Sequence, residues 1–275
     1  MNGTSPIHFL DVAVDAAREA GELLMEEFDR PQQLSYKGEV DIVTEADRKS
    51  EALVVGRLRS HFPGHAILGE EGGAVGTTAA KYQWLVDPLD GTTNFAHGFP
   101  VFAVSIGLLE NGEPLVAAVY NPVTREMFTA MRGEGAYRGR KRIHVSAVGT
   151  LSKSLLATGF PSHKRTQNPN IHYYWEFTLR SHGVRRAGSA ALDLCSVACG
   201  QFEGFWEFGL KPWDTGAGML LVREAGGTVS DFSGQPYSPG DPELLASNGL
   251  VHEEMRALAS EIKARRAIGH LESVG

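Results

Sequence analysis

Cysteine is scarce in this sequence, with two residues among 275. Cys195 and Cys199 are four positions apart in an apolar stretch, so helical spacing would bring both sulfurs to one face. No Cys-X-X-Cys pair accompanies them. The pattern therefore favours two small buried side chains over a metal site or a disulfide.

Long hydrophobic runs are also missing. No stretch approaches the roughly 18–20 consecutive apolar residues that a membrane-spanning helix needs. The first residues, MNGTSPIHFLDVAV, lack a basic segment followed by a long apolar segment, which is the pattern of a signal peptide. We therefore expect no membrane association and a cytoplasmic location.

Positive charge is in deficit, because 26 Lys and Arg residues against 33 Asp and Glu residues give a net charge of −7. No long basic run is present, so direct nucleic-acid binding is disfavoured as the main task. The composition is otherwise that of a globular protein, with 42% hydrophobic and 21% charged residues. The length of 275 residues fits a single domain with two closely packed halves, about 1–145 and 146–275.

Hydrophobic periodicity indicates several helices. The pattern predicts helices over about 7–28, 44–62, 189–199, 216–225 and 252–266. Two apolar runs joined at Asn111-Gly112 predict a β-hairpin. Hairpins beside long amphipathic helices favour a layered α+β architecture over a repeating βαβ fold. The segment 161–169 (PSHKRTQNP) is the best candidate for a long mobile loop.

Acidic side chains recur at the edges of predicted elements, in the stretches 41–47 (DIVTEAD), 69–73 (GEEGG), 87–95 (DPLDGTTNF) and 213–218 (WDTGAG). Each stretch alone has a simpler explanation, as a turn, a solvated loop or a helix cap. Asp47 alone would be a solvated residue at a helix start, and Asp214 alone an N-cap. Together, the four stretches favour a functional site.

The stretch 87–95 has a specific chemical reading. Asp87 and Asp90 follow the apolar strand-like run 84–86, so they are expected where that strand ends. Pro88 removes one N–H and biases Asp87 towards an extended backbone, which lets both carboxylates point to one side and leaves the Leu89 carbonyl between them. Carboxylates and a carbonyl are hard oxygen ligands that suit Mg²⁺.

A helix is expected to begin directly after these aspartates, at Gly91-Thr92-Thr93. The first N–H groups of a helix have no partner within the helix, and they carry the positive end of its dipole. They therefore make a natural phosphate-binding site beside the cations. The Thr92 hydroxyl can orient a water molecule.

These stretches together resemble those of the inositol monophosphatase family, and the resemblance covers nearly the whole chain. The combination of DPLDGTTNF with a distant WDTGAG is its most specific element. The resemblance implies a layered αβαβα fold and a Mg²⁺-dependent, Li⁺-sensitive phosphatase. Ser189, where many animal relatives carry threonine, and Lys211-Pro212 ahead of Trp213 depart from the family pattern.

The resemblance also implies roles for individual residues. A first Mg²⁺ would be held by Glu70, Asp87 and the Leu89 carbonyl, and a second by Asp87, Asp90 and Asp214. Glu70 would help to place a third ion through water, so two to three ions are expected. This makes Glu70 catalytic as well as metal-binding, and it places Glu70, Leu89 and Asp90 among the residues around the substrate.

Further roles concern the water, the phosphate and the alcohol. Asp47 and Thr92 match the pair that orients the attacking water, and the amides of Gly91 and Thr92 would bind the phosphate. The residues that match positions touching the sugar or cyclitol are Gly188, Ser189, Ala190, Glu207 and Asp214.

The resemblance leaves the substrate and the partners open. Inositol 1-phosphate is the leading substrate, and fructose 1,6-bisphosphate and NADP are the alternatives on the same site. A regulatory protein that binds the transcription machinery is the alternative of another class. A homodimer is expected, with a candidate contact at 173–186 that holds Trp175, Arg180, Arg185 and Arg186, although this segment also reads as an ordinary exposed helix and strand.

Overall fold

The computed structural model describes residues 5–28, 30, 35–37, 41–77, 80–160 and 168–267. Of the predicted loop 161–169, residues 161–167 lie outside this set. Within the described residues there are seven α-helices: α1 (Pro6–Phe28), α2 (Glu45–His61), α3 (Thr92–Ala96), α4 (Asn170–Arg180), α5 (Ala190–Ala198), α6 (Pro212–Glu224) and α7 (His252–Ala267). None of them is long and apolar enough to cross a membrane.

The described strands form three sheets. A small sheet pairs β1 (Ser35–Lys37) with β2 (Asp41–Val43). The largest sheet has the order β10-β9-β8-β7-β6-β5-β3-β4. Its members are β3 (Ala66–Gly69), β4 (Gly73–Val75), β5 (Tyr82–Asp90), β6 (Ala103–Glu110), β7 (Glu113–Asn121), β8 (Glu126–Met131), β9 (Gly135–Arg138) and β10 (Lys141–Ile143).

The third sheet has the order β12-β11-β13-β15-β14. Its pairing is mixed, because β11 runs parallel to both β12 and β13, whereas β15 is antiparallel to its neighbours. Its members are β11 (Leu155–Thr158), β12 (Gly183–Arg185), β13 (Gly204–Phe208), β14 (Thr228–Ser230) and β15 (Glu243–Ser247).

Helices and sheets alternate in five layers. α1 and α2 pack on one face of the large sheet, and α6 packs on its other face, against β6 and β7. α5 packs beside α6 and also contacts β13 of the five-stranded sheet. Consecutive residues of that sheet enter different cores: Phe205 faces α5 and α6, whereas Trp206 faces α4 and α7. The expected αβαβα arrangement is confirmed.

The predicted helices form because their apolar residues recur at helical spacing. In α1, Phe9, Ala13, Ala20 and Leu24 are among the residues buried against the sheet. α2 occupies most of the predicted stretch 44–62, and a reciprocal capping box between Thr44 and Asp47 begins it. The predictions for α1, α2, α5 and α7 hold to within a residue or two.

Two boundaries differ from expectation. β5 does not end before Asp87 but continues to Asp90, with a shift of register between these two aspartates. The shift arises because Pro88 has no N–H to give to the ladder. α6 begins at Pro212 rather than near 216, because a proline at the first helical position fits a helix start. Asp214 therefore lies inside the first turn and is not the N-cap.

The predicted hairpin and the cysteine prediction both have clear outcomes. Asn111 and Gly112 join β6 to β7 with φ of 51° and 85°, which is the left-handed pair of a type I′ turn.

Cys195 is buried and Cys199 half-buried, and neither is in a disulfide. Burial raises the pKa of both thiols. The prediction of a buried side chain is confirmed for Cys195, whereas Cys199 packs against the core but is only half-buried.

Glycine lets α6 approach the large sheet closely. A Cβ on Gly107 of β6 would lie 2.9 Å from the carbonyl carbon of Gly216, and a Cβ on Gly216 would lie 2.4 Å from a methyl carbon of Leu85. A Cβ on Gly218 would lie 2.5 Å from a methyl carbon of Leu194 in α5. Two glycines of the WDTGAG stretch thus serve packing, and this packing places Asp214 beside β5.

We expect Gly107→Ala to lower the free energy of unfolding by about 1–3 kcal/mol, because the added methyl group separates two backbones in contact. Gly56→Ala is the matched control, since Gly56 lies in α2 with no atom within 4 Å of the added Cβ. We expect the control to raise the free energy of unfolding by about 0.4–1 kcal/mol. Urea unfolding of both variants measures this. Equal effects in the two variants would contradict the packing role of Gly107.

Candidate active site

A cavity of about 170 Å³ lies where the end of β5 meets the starts of α3, α5 and α6. Every predicted site residue except Asp47 lines it: Glu70, Asp87, Leu89, Asp90, Gly91, Thr92, Gly188, Ser189, Ala190, Glu207 and Asp214. Asp47 lies just behind the wall, in contact with Thr92. The structure thus brings together residues from both halves of the chain.

Asp47 and Thr92 form a hydrogen-bonded pair. Asp47 is fully buried, and its Oδ1 lies 2.9 Å from the Thr92 hydroxyl. Its Oδ2 accepts the N–H of Thr44 at 2.7 Å and the Thr44 hydroxyl at 2.6 Å. Burial raises the pKa of Asp47, and the hydrogen bonds from Thr44 and Thr92 oppose that shift. The carboxylate is therefore fixed and aimed at Thr92, unlike a solvated helix residue.

The Thr92 hydroxyl has a defined orientation. Its oxygen lies 2.9 Å from Asp47 Oδ1 and 3.0 Å from the Leu89 carbonyl oxygen, which are both acceptors. The single hydroxyl proton must point towards this side, so the lone pairs of the Thr92 oxygen are left to accept a hydrogen bond from a water molecule in the cavity.

The turn through Pro88 is held from two sides. The Ser50 hydroxyl donates to the Pro88 carbonyl at 2.8 Å, and the Leu89 N–H donates to Asp87 Oδ1 at 3.0 Å. Asp87 is 2% exposed. Burial, followed by the charges of Glu70, Asp90 and Asp214, raises the pKa of Asp87 well above its usual range.

Asp90 ties β5 to the start of α5. Its Oδ2 accepts the Ser189 hydroxyl at 2.6 Å and the Ala191 N–H at 2.7 Å, and its Oδ1 lies 3.3 Å from the Ala190 nitrogen. Burial raises the pKa of Asp90 to about 6, and these hydrogen bonds oppose the shift. The hydroxyl of Ser189, expected to touch the alcohol, is thus engaged with Asp90.

Asp214 is held in the first turn of α6. Its Oδ2 accepts the Lys211 N–H at 2.7 Å. Burial, and then the charge of Asp90, raises the pKa of Asp214 to about 7. Asp87 is buried, whereas Asp90 and Asp214 are half-buried. The three carboxylates repel one another in this cavity, and a cation would relieve that repulsion.

These residues fit a divalent cation in chemical type and charge. Carboxylate oxygens and the Leu89 carbonyl suit Mg²⁺. Among the described residues, however, no three acidic, histidine or cysteine side chains are gathered closely enough to hold an ion as they stand. Asp90 accepts a hydrogen bond from the Ala191 N–H of α5, and Asp214 accepts one from the N–H of Lys211, the N-cap of α6.

The predicted phosphate site begins at Gly91, the N-cap of α3. Gly91 has φ of 99°, and a Cβ there would lie 2.9 Å from the Val101 carbonyl oxygen, so only glycine fits. α3 has five residues. So short a helix has a weak dipole, and the individual N–H groups of Gly91 and Thr92 are what this position offers a phosphate.

Glu207 adds a further acidic side chain to the cavity lining. Glu207 lies in β13, and a Cβ on Gly159 would lie 2.2 Å from its carboxylate oxygens, so glycine leaves room for that carboxylate. Burial, followed by the charges of Asp193, Asp214 and Asp90, raises the pKa of Glu207 well above its usual range, and Arg186 opposes the shift.

Sequence reasoning missed four residues that line this cavity: Gly159, Arg186, Asp193 and Leu210. Arg186 was assigned only to the predicted dimer contact. Asp193 had a signal in the sequence, because it follows Ser189 by four positions and therefore lies on the same face of α5. Burial, and then Asp90, raises the pKa of Asp193 well above its usual range, and Arg186 opposes the shift.

A cavity lined by acidic side chains, next to a threonine that is hydrogen-bonded to a buried aspartate, is typical of phosphatases with this layered fold. The family model of the inositol monophosphatase family matches residues 6–265. The chain belongs to the inositol monophosphatase family, which hydrolyses phosphomonoesters.

Individual relatives agree with this assignment. The chain is 45% identical to an inositol-1-monophosphatase of Synechocystis sp. over 255 residues, covering 92% of this chain and 89% of the relative. It is 48% identical to the Nus factor SuhB of Pseudomonas aeruginosa over 247 residues, covering 87% and 91%.

Solved structures are similar along nearly their whole length. The inositol monophosphatase from Anabaena (Nostoc) sp. PCC 7120 has a TM-score of 0.86 at 44% identity, covering 94% of this chain and 97% of that one. Staphylococcal IMPase-II with bound inositol monophosphate has a TM-score of 0.80 at 29% identity, covering 96% and 98%. The same protein with bound 2′AMP has a TM-score of 0.79, at 29% identity and the same coverage.

Proposed function

We propose that this chain is a Mg²⁺-dependent phosphatase that hydrolyses myo-inositol 1-phosphate to myo-inositol and phosphate. The observation that carries the proposal is the group formed by the buried Asp87 and the half-buried Asp90 and Asp214, which line one cavity beside the Asp47–Thr92 pair. Residues that would hold two to three ions are Glu70, Asp87, Asp90, Asp214 and the Leu89 carbonyl. Bound Mg²⁺ would act as a Lewis acid on the attacking water and on the leaving oxygen.

The chain's own groups would position the reactants. Asp47 accepts the hydrogen bond of the Thr92 hydroxyl, and the Thr92 oxygen would in turn accept a hydrogen bond from the attacking water, so that a lone pair of the water points towards phosphorus. The N–H groups of Gly91 and Thr92 would bind phosphate oxygens. The leaving alcohol would lie between Ser189, Ala190 and Glu207, with Gly188 leaving room at the entrance.

The choice of substrate draws support from two relatives. The Synechocystis relative is named for inositol 1-phosphate hydrolysis, and the staphylococcal structure holds inositol monophosphate. The 2′AMP complex of that same protein gives the NADP alternative some support, because both ligands carry a ribose 2′-phosphate. Fructose 1,6-bisphosphate is the further alternative.

A substrate panel tests the proposal. Phosphate release is measured from myo-inositol 1-phosphate, fructose 1,6-bisphosphate and NADP at saturating Mg²⁺, with and without Li⁺. We expect the highest kcat/KM on the inositol ester and inhibition by Li⁺. Hydrolysis of another ester alone would move the assignment to that substrate. No hydrolysis of any ester by folded protein would contradict the enzyme function.

Glu207→Ala tests the position of the alcohol. We expect kcat/KM for myo-inositol 1-phosphate to fall about 10- to 100-fold, because a hydrogen bond to a substrate hydroxyl is lost. Hydrolysis of p-nitrophenyl phosphate, whose alcohol part carries no hydroxyl substituent, should change by less than about 3-fold. Glu207→Gln is the matched control, which keeps the size and one acceptor. An equal loss on both esters would count against this role.

We further propose a homodimer formed through α4, in a cytoplasmic protein. α4 exposes Ile171, Trp175 and Leu179 at 41%, 60% and 65%, and their spacing of four places them on one helix face. An exposed apolar stripe of this kind marks an interaction surface. Light scattering after size exclusion should give the mass of a dimer for the wild type and of a monomer for Trp175→Glu.

A second function is favoured by one observation, the 48% identity to a relative named as a Nus factor. On this proposal the chain also binds the transcription machinery, independently of hydrolysis. Affinity capture of RNA polymerase by the wild type and by Asp90→Asn would test it. Capture of the polymerase by both proteins supports a separate regulatory function, and capture by neither contradicts it.

A further inference from the structure

Asp193 is a buried acidic side chain without a partner. It is 2% exposed, and it lines the active-site cavity from the first half of α5. In the described part of the chain, no hydrogen bond or ion pair to its carboxylate is found. Because Asp193 lines the cavity, its carboxyl group is available to a molecule bound there, and such a molecule can supply the hydrogen bonds that buried polar side chains normally make.

Arg186 lines the same cavity and is exposed. A Cβ on Gly188 would lie 2.8 Å from its Nη1, so the glycine leaves space for the guanidinium beside the cavity entrance. No acidic side chain in the described ranges pairs with Arg186 within 4 Å. Its charge nevertheless acts on both Asp193 and Glu207.

A guanidinium donor near a carboxyl acceptor complements hydroxyl groups, since each hydroxyl can both donate and accept. Three acidic side chains, Asp193, Glu207 and Asp214, line the cavity together with the single cation of Arg186. They would repel any anionic group that the substrate carries in addition to the reacting phosphate. Neutral neighbouring hydroxyls suit both residues.

We propose that Asp193 and Arg186 bind two neighbouring hydroxyl groups on the alcohol part of the substrate and thereby select phosphate esters of vicinal diols. This inference rests on the proposed phosphatase function. Asp193 is then a specificity-determining residue one helical turn beyond Ser189, and its lack of a protein partner is explained by the substrate.

The test compares two esters in the full-length protein with Mg²⁺. For Asp193→Ala, we expect kcat/KM on myo-inositol 1-phosphate to fall about 10- to 100-fold, mainly through KM, because a buried hydrogen bond to substrate is lost. On p-nitrophenyl phosphate the change should stay below about 3-fold. Asp193→Asn, which keeps the shape and one acceptor, should recover part of the loss.

Arg186→Ala is the second variant, chosen because an exposed side chain can be removed without disturbing the fold. We expect a loss of about 5- to 20-fold on the inositol ester and little change on p-nitrophenyl phosphate. Equal losses on both esters, or no loss on either ester, would overturn the inference while leaving the phosphatase function intact. A wild type that hydrolyses neither ester would overturn both.

Thermal unfolding without ligand separates this role from a structural one. If Asp193 binds the substrate and does not stabilise the fold, Asp193→Ala should leave Tm unchanged or raise it, because a buried carboxyl group without a protein partner is removed. A marked fall in Tm would show that Asp193 stabilises the fold and would overturn the assignment.

Discussion

Asp90→Asn is expected to lower kcat by about 10³-fold or more at saturating Mg²⁺, because it removes a charge from the cation site. Asp90 also accepts hydrogen bonds from Ser189 and Ala191, and asparagine can satisfy only part of that set. Steady-state phosphate release from myo-inositol 1-phosphate measures the loss.

Asp15→Asn is the matched control for Asp90→Asn. Asp15 lies on α1, and its side chain is 72% exposed. The control should keep wild-type kcat. A wild-type kcat in Asp90→Asn at saturating Mg²⁺ would remove Asp90 from the cation site.

Thr92→Val is expected to lower kcat by about 10²-fold with little change in KM, because the water loses the hydroxyl that orients it. Thr92→Ser keeps a hydroxyl in the same place and should stay within about 10-fold of the wild type. The valine variant also leaves Asp47 Oδ1 without its donor at 2.9 Å, which costs about 1–3 kcal/mol of stability. The assays are therefore run well below the Tm of each variant.

The pattern across the two Thr92 variants decides the role of the hydroxyl. Equal kcat values for Thr92→Val and Thr92→Ser would contradict its part in orienting water. A rise in KM without a change in kcat would indicate that Thr92 binds substrate only.

Local patterns in the sequence predicted much of the fold. The long helices α1, α2 and α7 follow from apolar periodicity, and the β6–β7 hairpin follows from Asn111-Gly112. The end of β5 was harder to predict, because the apolar run that indicated the strand ends at Val86. In the structure β5 continues past Pro88. Its pairing with β6 resumes at Asp90 after a shift of register, so the missing N–H of Pro88 does not end the strand.

The candidate site was predictable where its residues are close in sequence or match the family's motifs. Asp87, Leu89, Asp90 and Thr92 lie within one short stretch. Contacts such as that of Ser189 with Asp90, 99 residues apart, depend on how α5 packs against β5, and no local pattern indicates them. The spacing of four from Ser189 places Asp193 on the same face of α5, but its burial at the cavity depends on how α5 packs, and the sequence does not show this.

The measurement that tests the cation site most directly is phosphate release from myo-inositol 1-phosphate as Mg²⁺ is titrated into metal-free protein. Asp87, Asp90 and Asp214 line one cavity and all have raised pKa values, so we predict no turnover without Mg²⁺ and a rate that rises with Mg²⁺ to saturation. Hydrolysis at the full rate in the presence of a chelator would contradict the assignment of these carboxylates as cation ligands.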